Sequence, residues 1–151
     1  MITDLDSEEG LSILKKNYIG YLAYIFEDRP FVVPVTYYYD PAENCVIGYS
    51  NSGHKIDAMR INNSVSLLVD EIDAVNQWQS VQIQGEYEEL HSSDAKFLLH
   101  RFSQGIKDLV AEKENMQLQF ISEFSSLAFS DDIPVIYKIN IHNIKAKSRA
   151  Q

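Results

Sequence analysis

Residues 50–55 read Ser50-Asn51-Ser52-Gly53-His54-Lys55, and this loop is furnished to hold an anion. The side chains of Ser50, Asn51 and Ser52 can donate hydrogen bonds to phosphate oxygens. Gly53 lets a backbone approach closely, and it stands where a helix begins, so free amides would point at the ligand. Lys55 adds a fixed positive charge and His54 a pH-dependent one. A solvated turn carrying a surface lysine has the same local composition, so the surroundings must decide.

Other chemistry is sparse. The four histidines stand at 54, 91, 100 and 142, and no pair has the spacing of a metal site. No metal is expected, and His91, His100 and His142 read as surface or interface residues. The single cysteine, Cys45, excludes a disulfide framework and sits in an apolar run, as a small buried hydrophobe would. No Gly-x-Ser-x-Gly nucleophile turn occurs, and no side chain is singled out as a catalytic acid, base or nucleophile. Asp70, Glu71 and Asp73 read as a solvated cluster.

A net charge of −9 argues against nucleic acid or an anionic membrane as a main partner, since few cations remain to displace counterions. An anionic ligand must therefore meet a local positive site. The N-terminus is acidic and lacks a signal-peptide pattern, and no apolar run reaches membrane-spanning length. A cytoplasmic location is expected, and the length of 151 residues suits a single domain, 1–151.

The elements that position the loop follow from periodicity and turn residues. A helix is predicted over 4–17, capped by Asp6 or Ser7. Strands are predicted over 18–26 and 31–39, joined by a turn at Glu27-Asp28-Arg29-Pro30. Pro34 inside the second strand requires a bulge or an edge position, and it leaves main-chain groups free to face a ligand. A third strand over 44–50 delivers the loop, and a short helix over 53–62 leaves it. Strands over 64–71 and 77–90 follow, with Gly85 marking a bend or bulge. Helices are predicted over 92–102, ended by Gln104-Gly105, and over 108–129. A last strand spans 135–144, and the basic tail 145–151 is expected to fray. Short antiparallel strands in this number close most economically into a small barrel.

These parts together resemble the flavin-binding split-barrel proteins related to pyridoxamine 5′-phosphate oxidase, in the branch that includes 5-nitroimidazole reductases. The resemblance is carried by Ile19-Gly20-Tyr21-Leu22-Ala23, Val33-Pro34-Val35-Thr36-Tyr37, Tyr49-Ser50-Asn51 with Gly53-His54-Lys55, Arg60-Ile61-Asn62-Asn63, and Trp78-Gln79-Ser80-Val81 running to Leu90. It implies a mainly β fold with helices, a six-stranded antiparallel split barrel, forming a homodimer with FMN at the interface. By position, the main chain around Val33, Pro34, Val35, Thr36 and Tyr37 would follow the isoalloxazine ring. Tyr49, Ser50 and Asn51 would lie near the ring and ribityl chain, and Gly53, His54 and Lys55 would hold the phosphate. Ser80 falls where the oxidase branch has a flavin-contacting Gln.

That branch usually carries an Arg-Lys pair where this chain has His54-Lys55. An imidazole cannot copy the planar fork of Arg, so the clamp would be weaker and more pH-dependent. Only Lys147 and Arg149 stand late enough to serve as the basic residues with which the oxidase binds pyridoxal phosphate. The resemblance thus implies an FMN-dependent oxidoreductase acting on a small organic substrate, nitroaromatic-like or pyridoxine-like, with NAD(P)H as electron donor. The alternatives are a flavin, haem or deazaflavin carrier or sensor without turnover, and an interaction protein that has lost its ligand.

Overall fold

The computed structural model describes residues 1–114 and 134–150. The elements run β1 (Ile2–Leu5), α1 (Ser7–Lys16), β2 (Ile19–Phe26), β3 (Arg29–Thr36), β4 (Tyr38–Asp40), β5 (Cys45–Ser50), α2 (His54–Ile61), β6 (Ser64–Ala74), β7 (Gln77–Leu90), α3 (Ser92–Glu114) and β8 (Val135–Arg149). The strands form one antiparallel sheet in the order β3-β2-β6-β7-β8-β5-β4, with β1 paired to the end of β8. β3 and β4 are the two ends of this path, yet only Tyr37 separates them in the chain. The sheet must therefore curl until its ends nearly meet. Among the described residues no ladder closes it, so it is a split barrel with a seam between its two end strands.

Alternation fills the interior. Val65, Leu67 and Val69 of β6 and Val81 and Ile83 of β7 are buried with Leu22, Ile139 and the α1 residues Ile13 and Leu14. Each such side chain contributes about 1.5–3 kcal/mol on burial. α1 starts at Asp6, whose carboxylate accepts the Glu9 amide at 2.8 Å. α3 covers the outside of the sheet, burying Ala95, Leu98, Leu99, Phe102, Ile106 and Val110 against Cys45, Ile47 and Ile136. Among the described residues no helix is long and apolar enough to cross a membrane.

Several sequence expectations change. Six strands become eight, because β1 was not anticipated and the strand expected over 31–39 divides at Tyr37. The Tyr37 ring is buried, and its hydroxyl donates to the Leu14 carbonyl at 2.8 Å, which pins the chain where it crosses from one sheet end to the other. The helix expected to stop at Gly105 runs on to Glu114. Gly105 is there for space, since a Cβ would lie 2.2 Å from the Tyr38 ring. The predicted second helix is thus continuous with α3 as far as Glu114, and its remainder, 115–129, lies outside the described residues. The tail expected to fray is strand instead. Residues 145–149 pair with β7 on one side, and 146–149 with β1 on the other. Pro34 sits in an unbroken register at the sheet edge, with no bulge, whereas the register does shift at Gly85.

Candidate functional site

The seam opens into a groove of about 560 Å³, within the range of small-molecule sites. It is lined by Tyr24 of β2, Val33, Pro34, Val35 and Thr36 of β3, Tyr49 and Ser50 of β5, and the run Asn51 to Lys55. Of the expected site residues, Val33, Pro34, Val35, Thr36, Tyr49, Ser50, Asn51, Gly53, His54 and Lys55 share this one surface, although the two segments are distant in the sheet order. Two expected residues lie elsewhere. Tyr37 turns into the core, and its amide bonds the Tyr18 carbonyl at 2.8 Å. Ser80 sits mid-sheet on β7 between Asp70 and Lys147. Ser52, read as a phosphate donor, also lines the groove, and Tyr24 joins it without having been singled out.

The β2–β3 hairpin explains how a wall with two prolines can exist. Its two-residue turn has positive φ at Glu27 (52°) and Asp28 (61°), the twist that suits a tight hairpin. The closing pair Phe26–Arg29 sets the phase, so hydrogen-bonded pairs fall at alternate residues. Pro30, Val32, Pro34 and Thr36 then occupy the positions whose main-chain groups point away from β2. The Tyr37–Tyr18 bond falls on the same phase. The prolines therefore cost the ladder nothing. At the groove, the Pro34 carbonyl and the amide and carbonyl of Thr36 are turned off the β3 edge. Val33 and Val35 have their main-chain groups committed to β2.

The other wall ends at α2. No side chain caps this helix, and its first internal bond runs from the Asp57 amide to the Gly53 carbonyl at 3.0 Å. The amides of His54, Lys55 and Ile56 precede that bond and lack intrahelical partners. Gly53 is extended, and a Cβ there would meet nothing nearer than the Asn51 carbonyl at 4.0 Å. Neither strain nor packing among the described residues calls for glycine at this point, which leaves close approach of an outside group as a use for it. Lys55 forms no ion pair among the described residues. The Ser50 hydroxyl is spent on the Asn51 carbonyl at 2.8 Å, whereas the side chains of Asn51, Ser52 and His54 are exposed. Tyr49 leans its ring edge-on against Phe102 of α3 at 5.4 Å. A mixed wall of valines and tyrosine thus leads to a small cationic pocket rich in donors, an arrangement suited to a flat apolar ring with a phosphate at one end.

The model of the family described as pyridoxamine 5′-phosphate oxidase matches residues 6–129. The chain belongs to that family. An uncharacterized protein from Rhizobium meliloti (strain 1021) is 36% identical over 86 residues, 57% of this chain and 56% of the relative, so the chain spans about half the length of this curated relative. Among solved structures, a FAD-binding protein from Mesorhizobium loti superposes with a TM-score of 0.75 at 26% identity, covering 99% of both chains. A putative 5-nitroimidazole antibiotic resistance protein from Bacteroides thetaiotaomicron shares the fold, with a TM-score of 0.67 at 14% identity over 98% of this chain and 87% of that one.

Proposed function

We propose that the seam groove binds a flavin, specifically FMN, and that the protein is a flavin-dependent oxidoreductase for a small organic substrate. The observation that carries this reading is the pairing of a free β3 edge with an uncapped α2 N-terminus across one groove. The Pro34 carbonyl and the Thr36 amide would serve the polar rim of an isoalloxazine ring. Lys55, His54 and the first α2 amides would hold the phosphate. When bound, the flavin supplies the electron transfer, and the chain positions it and leaves one face open.

The same reading includes a homodimer. Tyr21 lies between Pro34 and Leu68 in register, on the outer face of the sheet. Ile19, Tyr21, Val32 and Leu68 are exposed there at 53, 42, 63 and 39%. Pro34 belongs both to this apolar face and to the groove, so a second copy seated on the face would also cover the flavin site.

The visible spectrum of the purified protein tests the cofactor, and titrations with FMN and FAD decide which flavin fits. Reduction by NADH or NADPH followed by reoxidation with a nitroaromatic compound tests the activity. A bound flavin that neither nucleotide reduces would favour a carrier or sensor, and absence of any flavin binding would favour an interaction protein.

A further inference from the structure

His54 is exposed, yet its ring is held. The Tyr24 hydroxyl lies 2.9 Å from Nδ1. The rings of Phe26 and Phe31 stand edge-on to the imidazole, each at 4.8 Å. Tyr24 itself is 4% exposed and stacked on Phe31 at 5.5 Å with an interplanar angle of 10°. Tyr24 is therefore a rigid post in β2, and His54, as the first residue of α2, is fixed against it. The hydrogen bond occupies Nδ1 and leaves Nε2 as the ring's remaining polar atom, without a partner among the described residues.

We propose that Tyr24 is a positioning residue for anion binding: its hydroxyl donates to Nδ1 of His54, which keeps the neutral imidazole's proton on Nε2 as a donor for a phosphate oxygen. Phosphate oxygens facing an uncapped helix only accept, so the usefulness of His54 depends on which nitrogen carries the proton. With the proton on Nδ1 instead, Nε2 would present a lone pair to the anion and repel it. The tyrosine thus fixes the orientation and the tautomer of His54 together. This inference rests on the flavin-phosphate reading of the groove.

Tyr24→Phe keeps the stacked ring and removes only the hydroxyl, so the fold should survive. Two readouts decide. In ligand-free protein at alkaline pH, ¹⁵N spectra of His54 should show Nε2 protonated and Nδ1 bare, with this preference lost in the variant. FMN should bind the variant about five- to tenfold more weakly, riboflavin should bind it as well as it binds the wild type, and the loss should vanish when His54 is already Ala. A proton on Nδ1 in the wild type, or equal FMN affinity in wild type and Tyr24→Phe, overturns the role of Tyr24 and leaves the flavin reading standing. A wild type that binds no FMN overturns the flavin reading, and this inference with it.

Discussion

Nη2 of Arg101 on α3 reaches Oδ1 of Asp40 at the end of β4, at 2.6 Å. Asp40 is fully buried, its Oδ1 also accepts the Ala42 amide at 3.1 Å, and its Oδ2 has no hydrogen-bond partner among the described residues. The guanidinium is thus the charge that makes this carboxylate tolerable, and it ties the outer helix to the far edge of the sheet. Arg101→Met should destabilise the protein by about 2–4 kcal/mol, because a buried charge loses its partner. Adding Asp40→Asn should recover part of that loss. Equal denaturant midpoints for wild type and Arg101→Met would show the pair to be dispensable.

Gly105 gives a prediction with a sign change. An exposed helical Gly→Ala normally stabilises by about 1 kcal/mol. Here the added Cβ would stand 2.2 Å from the Tyr38 ring, so Gly105→Ala should instead cost about 1–3 kcal/mol. In a Tyr38→Ala background the same substitution should become stabilising. Thermal melts of the four proteins check this.

Cys45 makes stability sensitive to alkali. Burial first, and then Asp40 and Glu43, push its thiol from 9.0 up to about 11. The unfolded chain releases this proton earlier than the folded one, so its contribution is complete below about pH 9 and is lost as the pH rises through about 11. Burial raises Tyr37 and Tyr137 as well, which steepens the loss at higher pH. Cys45→Ala should flatten the fall in unfolding free energy across the thiol window, measured by denaturant titrations at several pH values.

The outer face of β2, β3 and β6 should be a dimer interface. Val32→Asp with Leu68→Asp should give a folded monomer by size exclusion with light scattering, and flavin affinity should fall with it. A wild type that is already monomeric would remove both the interface and the proposed cover for the groove.

Much of the site could be read from the chain because it is local. Ser50 to Lys55 is one continuous loop, and Pro34 announces an edge by its missing donor. The limits are equally physical. Nothing local marks Tyr37 as a pivot, since its break depends on a carbonyl in α1, at Leu14. Gly105 carries an ordinary helix-stop signal that the distant Tyr38 ring overrides. The basic tail looked too polar to be ordered, yet its strand is satisfied by β7 and β1 and paired through Lys147 to Asp4 at 3.2 Å. Nothing local marks Tyr24 either, because its partner His54 stands thirty residues later.

The central claim is that the α2 terminus with Lys55 grips the phosphate of a flavin lying along β3. Parallel titrations of wild type and Lys55→Ala with FMN and with riboflavin test it most directly. FMN affinity should fall at least about tenfold in the variant, or about 1.4 kcal/mol, while riboflavin affinity stays unchanged. Equal FMN affinity in the two proteins would contradict the phosphate site, and no flavin binding by the wild type would contradict the whole account.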